Sequence, residues 1–329
     1  YGGSSYLLVR GLELAYTQAA AFSFEGGRGQ IVDDNVLSHN SNSNDNAYSV
    51  FISYGGGARV CRNRVFDSEY WGGTPNSKGI TFMTMRPDDP YIVEDNEIYD
   101  IVGQGIATKG GVSHLVVRRN YVHEVGLAIE GTDGRCDWTL PNCTQSDPEY
   151  FPGGAWDVYE NLLVHNRTGF SVYVTATNPS DDNRVYNNVF ADNGSAVTLP
   201  PALFRTVLAN NIFVGNERAV YLDHGGSGTT ASVADFLPNF TSDHNLFFAN
   251  GGDYFLRPDW TGPEGSGIAY DLVTIQTDHG REPNSLAADP EFRGAGDYTL
   301  GDLSPAIGAG DPSFYGATTV DIGAYPNPR

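Results

Sequence analysis

Lys109 is the residue whose type and setting most clearly favour proton-transfer chemistry. It follows Ile106 and Thr108 in a short alternating segment that ends at two glycines. A lysine whose stem lies on a sheet face can lose its proton near neutral pH when it is desolvated or placed beside other cations. It can then remove the proton α to a carboxylate. The alternative interpretation is a solvated lysine that pairs with Glu130.

Three carboxylates, Glu130, Asp133 and Asp223, indicate a second kind of chemistry. A glycosidase needs one carboxyl group as acid and another as base or nucleophile, roughly 5 to 9.5 Å apart. Glu130 with Asp133 or with Asp223 would meet that requirement if the pair lies one or two repeats apart on one face. In either scheme Tyr173 or His224 could protonate the leaving oxygen. Ordinary surface packing is the competing interpretation for both.

Other residues are candidates for binding. Trp71 and Trp138 have aromatic faces that can stack on sugar rings. Arg86 and Arg135 can neutralise a carboxylate. Trp71, Trp138 and Arg135 are substrate-binding candidates, together with Asp133 and Asp223. Arg86 is a candidate catalytic residue that would support the reacting sugar.

Two short acidic stretches, Asp88 with Asp89 and Asp181 with Asp182, carry the oxygen ligands that calcium prefers. Neither has the spacing of an EF-hand loop, and solvated turns are the alternative. We therefore assign no residue as a metal ligand and keep Ca²⁺ as the one candidate cofactor.

A recurring asparagine indicates which elements must position these residues. A short apolar strand, an asparagine and a second short apolar strand recur along the chain, with the asparagines at Asn35, Asn63, Asn96, Asn120, Asn161, Asn188, Asn211 and Asn245. Gly11 stands in the equivalent place near the start. The intervals repeatedly exceed a floor of 23 or 24 residues, so we take that floor as the repeat length and the excess as loop insertions.

A unit of this length cannot bury its own apolar face, whereas stacked copies bury a continuous core. We therefore predict an all-β fold, a right-handed parallel β-helix of about nine or more rungs, as one domain over residues 1–329. Insertions fall near 68–79 and 131–154, and a capping segment over about 286–329 would cover the last strand edge. Asparagine suits the bend because it tolerates left-handed backbone and its amide can bond to the backbone and to the next asparagine.

In such a fold, side chains alternate between the core and an outer face, and neighbouring strands lie about 4.8 Å apart. Groups distant in sequence can therefore meet one sugar ring. Alignment of the repeats predicts one outer row, consisting of Glu25, Tyr54, Arg86, Lys109, Glu130, Tyr173 and Asp223 with His224.

The charge of the chain restricts its partners. It has 40 acidic and 19 basic residues and a formal charge of −21. This argues against nucleic acid and anionic membranes, and against a strongly anionic substrate unless cations are gathered locally or a metal ion bridges the two. No apolar run of about 18 residues occurs, so we expect no membrane span. The expected partner is a polysaccharide, bound by a monomer.

Several features favour an extracellular location. No charged and then apolar leader follows Tyr1, so the sequence looks like a mature or truncated form. A disulfide between Cys136 and Cys143 would imply an oxidising compartment, and free thiols are the alternative. The ending, with SPAIGAG (304–310) and DIGAYP (321–326), resembles the closing segment of secreted bacterial right-handed β-helix proteins. That resemblance implies a secreted protein, and a periplasmic or cell-surface location is the alternative.

The stretch ATKGGVSHLVVRRNYV (107–122) resembles part of the chondroitinase B and alginate lyase β-helix family. In that family a lysine is followed by a small residue and an asparagine-ended strand, so the resemblance implies that Lys109 is a catalytic base. The family's next rung carries an arginine-histidine-glycine motif, and here LAIEGT has Glu130 in the arginine's place. Arg86 or Arg135 is then the candidate substitute for the missing cation.

Three functional hypotheses follow. The first is a secreted polysaccharide lyase that cleaves a uronate-containing glycan by β-elimination, with Lys109 as base and an arginine or a calcium ion on the carboxylate. The second is a glycoside hydrolase that uses Glu130 and a second carboxylate. The third is a non-catalytic β-helix that binds glycans or serves in surface adhesion.

Overall fold

The computed structural model describes residues 5–42, 47–70, 76–85, 89–132, 135–136, 150–151, 153–173, 180–199, 204–223, 240–257 and 267–323. Within these ranges, side chains are not described at 41–42, 69–70, 132, 135–136, 150–151, 173, 180–182, 204 and 240. Strands dominate, and most of them belong to two long sheets built from parallel pairs. The predicted all-β class is therefore confirmed.

The strands are short, and they follow one another at close intervals. In chain order they are β1 Leu8–Arg10, β2 Glu13–Ala15, β3 Ala20–Glu25, β4 Ile31–Asp33, β5 Val36–Ser38, β6 Ser41–Asn42, β7 Ala47–Ser53, β8 Arg59–Cys61, β9 Arg64–Tyr70, β10 Ser77–Met83, β11 Tyr91–Glu94, β12 Glu97–Lys109, β13 Leu115–Arg118, β14 Tyr121–Thr132, β15 Arg135–Cys136, β16 Tyr150–Phe151, β17 Asp157–Tyr159, β18 Leu162–Val164, β19 Thr168–Tyr173, β20 Ser180–Tyr186, β21 Val189–Ala191, β22 Ser195–Leu199, β23 Phe204–Ala209, β24 Ile212–Val214, β25 Arg218–Asp223, β26 Phe240–Asp243, β27 Leu246–Phe248, β28 Tyr254–Arg257, β29 Ile268–Tyr270, β30 Leu286–Ala287, β31 Phe292–Gly294 and β32 Asp297–Leu300. The helix α1 spans Leu272–His279, and a 3₁₀ helix spans Pro312–Phe314.

Nine strands form one parallel sheet, sheet A, in the order β1, β4, β8, β11, β13, β17, β20, β23, β26. From β4 to β26, each is the strand that precedes a repeating asparagine. One inward position of these strands is nearly all valine and almost fully buried, at Val32, Val60, Val93, Val117, Val158, Val185 and Leu208. Branched side chains suit this position because they pack well on a pleated surface.

The strands that follow the asparagines form two further sets, which we name rows. Row B comprises β2, β5, β9, β18, β21, β24, β27 and β30, and row C comprises β3, β7, β10, β19, β22, β25 and β28. The long strands β12 and β14 run through both rows, and their register shifts between Ile101 and Gln104. Apolar side chains from sheet A and from both rows belong to one buried cluster, so each repeat completes its core with its neighbours.

The recurring asparagines form a continuous hydrogen-bonded ladder. Asn35 donates to Oδ1 of Asn63 from its backbone N–H at 3.0 Å and from its side-chain amide at 2.9 Å. The Asn63 amide donates in turn to Asn96 at 3.0 Å, and the same contact continues to Asn245. The predicted bond between successive asparagines is confirmed, and it makes these residues part of the scaffold.

The predicted left-handed backbone at the asparagine is wrong by one residue. The residue before the asparagine has the positive φ, as at Asp34 and Arg62, both with φ of 56°. That turn directs the next side chain inward, where its amide meets the ladder. Gly11 (φ 69°) is likewise the turn residue. Leu12 takes the ladder position, and its backbone N–H donates to Asn35 Oδ1 at 3.0 Å.

Helix α1 packs against the core near the C-terminal end of the stack of repeats. Its Leu272 and Ile275 are buried in the main core cluster. Asp271 caps the helix by accepting from the backbone N–H of Thr274 at 2.8 Å, and Gly280 ends it with φ of 61°. Strand β30 then pairs in parallel with β27.

Much of the C-terminal segment, up to residue 323, lies along the outer side of row B. It contributes to a second buried cluster whose members are Val164, Val189, Ala191, Ile212, Leu246, Ala306 and Ile322. The backbone N–H of Gly323 also donates to the carbonyl of Asn210 at 2.7 Å. The segment expected to act as a cap therefore covers a side of the repeats, while α1 contacts the core.

Candidate functional site

Four neighbouring strands of row C bring polar side chains together on the side away from the core. Tyr48 of β7, Lys78 of β10 and Gln104 of β12 are direct cross-strand neighbours. Ala107 of β12 and Glu130 of β14 pair at the next outward position. Strands lie about 4.8 Å apart, so these side chains are within reach of one another.

Lys109, at the end of β12, reaches back across β10 to Tyr48. Its Nζ donates to the Tyr48 hydroxyl at 3.2 Å and lies 5.7 Å from the centroid of the ring. The ring therefore holds the ammonium group by a hydrogen bond and by a cation–π contact. Both side chains are only partly buried, so the pair borders solvent.

Lys78 is a second lysine in the group, and sequence reasoning missed it. It is 2 % exposed, which is unusual for a lysine unless it has polar partners. Its Nζ donates to Asn76 Oδ1, and its charge acts on Glu130. The chain contains two lysines in all, Lys78 and Lys109, and that scarcity is a signal that would have drawn attention to Lys78.

Glu130 lies at the centre of these charges. Burial raises its pKa above the ordinary glutamate value. The Lys78 charge, a hydrogen bond from Gln104, and the charges of Lys109 and Arg167 oppose that rise only in part. Glu130 is therefore easier to protonate than an ordinary surface glutamate, which suits a group that exchanges protons.

Buried oxygens on the same strands lack partners. Within the described ranges, Gln104 Oε1, Thr81 Oγ1 and Ser53 Oγ are buried and accept or donate no hydrogen bond. An unmade hydrogen bond at a buried polar atom costs about 1–3 kcal/mol.

The predicted outer row is correct for Glu25 and Lys109. They share one register through Ser53 of β7 and Met83 of β10. The row is wrong at Tyr54, which lies in the turn after β7 with φ of 54°.

The row is also wrong at Glu130. Thr132 pairs with Tyr173, and the pairing of Ala107 with Glu130 places Thr132, not Glu130, opposite Lys109. Glu130 therefore lies two residues earlier along its strand. The prediction equated the glycine after Lys109 with the glycine after Glu130, and the pairing of the strands places these two glycines two positions out of register.

Several predicted site residues lie outside the described residues. They are Arg86, Asp133, His224, Trp71 and Trp138. Tyr173 is placed on β19 and Arg135 on β15, but their side chains are not described. The catalytic and binding roles assigned to all seven stay predictions.

Asp223 is placed on β25, and its position bears on the hydrolase hypothesis. Three strand spacings separate β14 from β25, through β19 and β22, which is about 14 Å between strand positions. A glycosidase pair needs roughly 5 to 9.5 Å. This separation disfavours Glu130 with Asp223, whose cross-strand neighbour is Arg257.

A second polar group surrounds Asp223 at the far end of row C. The Arg218 guanidinium lies 4.6 Å from the centroid of the Tyr221 ring and 5.7 Å from that of Phe255. Burial and the Asp223 charge raise the pKa of Tyr221, while a hydrogen bond from Arg257 opposes the rise. Arg218 and Arg257 thus add two more cations to row C.

The cysteines and the acidic stretches give no metal site in the described ranges. No group of three or more His, Cys, Asp and Glu side chains there is placed to hold a metal ion. Asp89 pairs with Arg28 at 3.1 Å, whereas Asp88 and the side chains of Asp181 and Asp182 lie outside the description. Cys61 is a buried free thiol. Cys143 lies outside the described residues, so the disulfide with Cys136 stays a prediction.

Among the residues that the structure describes, no helix has the length and apolar character needed to cross a membrane. A scan against protein-family models found no match, and a search of curated proteins found none either.

Proposed function

We propose that the chain is a right-handed parallel β-helix and that the outer face of row C is the active site of a secreted polysaccharide lyase. The in-register parallel strands of sheet A and rows B and C, joined by one core, support this architecture. The right-handed sense follows from the strong preference of parallel crossover connections for that hand.

One observation carries the functional proposal: cations gather on one face of an acidic chain. Lys78, Lys109 and Arg167 all act on Glu130, although the chain carries a formal charge of −21. Local positive charge favours a carboxylate-bearing sugar. A local group of cations also allows a protein with a net negative charge to bind an anionic substrate.

Lys109 is the base of the proposed reaction. It must be neutral to take the C5 proton, which is α to the uronate carboxylate. Lys78 and Arg167, which act on Glu130 together with Lys109, are the cations proposed to face the substrate carboxylate. The same two cations stabilise the negative charge that grows on the carboxylate as the proton leaves. The bond from C4 to the glycosidic oxygen then breaks, and a C4–C5 double bond forms.

Glu130 has a supporting role in this proposal. A charged glutamate would repel the incoming uronate carboxylate. Its raised pKa reduces the cost of taking up a proton when substrate binds. The neutral carboxyl group can then donate a hydrogen bond to the sugar.

A glycoside hydrolase is the second candidate. The observation that favours it is the same raised pKa of Glu130, because a general acid of a glycosidase needs to hold a proton near neutral pH. Its carboxylate partner would be Asp133. A non-catalytic glycan-binding protein is the third.

The test is incubation of the purified protein with alginate, pectate, glycosaminoglycans and neutral plant glycans, first with calcium and then with chelator. Ultraviolet absorbance of unsaturated uronate and new reducing ends are followed together. The proposal predicts that both rise on a uronate polymer. Reducing ends without absorbance would instead establish a hydrolase, and binding with neither signal would indicate the third function.

A further inference from the structure

We infer that Tyr48 protonates the leaving oxygen, that the elimination is syn, and that the substrate is a uronate whose C5 hydrogen and C4 oxygen lie on the same side of the ring. This inference rests on the proposed lyase function and names its substrate class. It assigns to Tyr48 the role that the sequence had suggested for Tyr173 or His224.

The geometry of the base and its neighbour carries the inference. The Tyr48 hydroxyl lies 3.2 Å from Lys109 Nζ, and both groups are on the outer side of row C. A proton donor this close to the base approaches a bound sugar from the same side. Anti elimination requires the base and the donor on opposite sides of the ring, which this pair cannot provide for one sugar.

Tyr48 is held in place from several directions. Its ring lies 4.6 Å from the Phe51 ring, with an angle of 32° between the planes. Its direct neighbour on β10 is the buried Lys78. These contacts leave the hydroxyl directed towards Lys109, so little ordering is needed when substrate binds.

In this arrangement Lys109 and Tyr48 can carry out every proton transfer of the reaction without a solvent molecule. The neutral amine of Lys109 takes the C5 proton and becomes an ammonium ion. The electron pair of the C5–H bond forms the C4–C5 double bond and expels the glycosidic oxygen, which takes the hydroxyl proton of Tyr48. The resulting phenolate then recovers a proton from Lys109 across their hydrogen bond. Both residues are thereby returned to their starting states.

The stereochemistry of the sugar ring determines which uronates can undergo syn elimination. In glucuronate and mannuronate residues, the C5 hydrogen and the C4 oxygen lie on the same side of the ring. In galacturonate, guluronate and iduronate residues they lie on opposite sides. The geometry therefore selects polymers cleaved at glucuronate or mannuronate.

The experiment compares initial rates of unsaturated-uronate formation on polymannuronate and a glucuronate polymer with rates on polyguluronate and polygalacturonate. Wild type, Tyr48→Phe and Tyr99→Phe are used. Tyr99 is the matched control because it lies on β12 itself but in row B, where its ring stacks between Phe66 and His123 with centroids 4.9 and 5.0 Å away. Phenylalanine keeps the ring that packs on Phe51, and circular dichroism checks the fold of each variant.

We expect rates at least about tenfold higher on the first two polymers. We also expect a fall in kcat of about 100-fold or more in Tyr48→Phe with KM little changed, and near-normal kcat in Tyr99→Phe. Faster cleavage of guluronate or galacturonate, or full kcat in Tyr48→Phe, would overturn the inference and leave the lyase function standing. Absence of unsaturated product from every polymer would overturn both.

Discussion

Glu94 and Glu130 each lie among three cations on an outer face of the molecule, and their pKa values shift in opposite directions. Glu94 belongs to sheet A and its pKa is lowered. Glu130 belongs to row C and its pKa is raised. The two sites show that the number of nearby cations does not decide how a carboxylate behaves.

Direct hydrogen bonds from arginines account for Glu94. Its side chain is fully buried, and burial by itself raises the pKa. Arg118 Nε and Arg119 Nη2 each donate to Glu94 Oε2 at 2.7 Å, and Arg59 contacts Oε1. Hydrogen bonds and charges from Arg118 and Arg59 outweigh the burial. The carboxylate is thereby fixed in its charged form as part of the scaffold.

The cations around Glu130 have hydrogen-bond partners elsewhere. Lys78 donates to Asn76 and Lys109 to Tyr48, so both act on Glu130 mainly through charge. Burial is then only partly offset. A carboxyl group left in this condition, beside two lysines, is suited to proton exchange rather than to holding the fold together.

Glu94→Ala should have the largest effect on stability. It leaves three arginines without their buried partner, and loss of one member of a buried ion pair costs about 3–5 kcal/mol. The lowered pKa predicts that this contribution is present above the unfolded-state pKa and is lost as pH falls through the folded-state value. Urea unfolding across that pH range measures both effects. Equal stability of wild type and variant at neutral pH would contradict the structural role.

Acylation of amines should modify the outer face of row C and leave the outer face of sheet A unmodified. An amine-selective reagent can reach only Lys78, Lys109 and the amino terminus of this chain, and it leaves the arginines around Glu94 unmodified. Loss of the proposed base should lower the activity by about 100-fold or more, with little change in the unfolding transition. Saturating polyuronate should protect Lys109, as peptide mapping would show. Full activity after modification of Lys109 would exclude it as the base.

Glu130→Gln should have a smaller effect on stability, of opposite sign. A raised pKa means that the contribution of Glu130 is fully present below the ordinary value of 4.5 and is lost as pH rises through the folded-state pKa. The variant should therefore match wild type in acid and become more stable than wild type at neutral pH, by less than about 1 kcal/mol. Chemical denaturation at the two pH values measures the difference. A marked loss at neutral pH would place Glu130 with Glu94 as a structural residue.

The sequence predicted the scaffold well because its repeat is read from local features. Each ladder asparagine follows a short apolar strand. The hydrogen bond from Asn120 to Asn161 forms although the two residues are 41 positions apart in the sequence. A second ladder, formed by Asn166, Asn193, Asn216 and Asn250, was missed. Its signal was present, since each member lies five residues after an asparagine of the first ladder.

The site was harder to predict because it depends on register between strands. Lys109 was identified as a candidate from its own segment of sequence. Its contact with Tyr48 joins residues 61 positions apart, and two repeats with different insertions separate them. The glycines that follow Lys109 and Glu130 also lie two positions out of register, so alignment on them placed Glu130 wrongly in the predicted row. Neither the contact between Lys109 and Tyr48 nor the register of Glu130 can be recognised from a short stretch of sequence.

The central claim is that row C performs chemistry while the outer face of sheet A provides stability. The most direct measurement compares Lys109→Met with Arg118→Met, one cation from each face, by the rate of unsaturated-uronate formation per folded molecule. The account predicts that Lys109→Met is folded and nearly inactive, and that Arg118→Met is less stable and fully active. An active Lys109→Met, or an inactive but folded Arg118→Met, would contradict it.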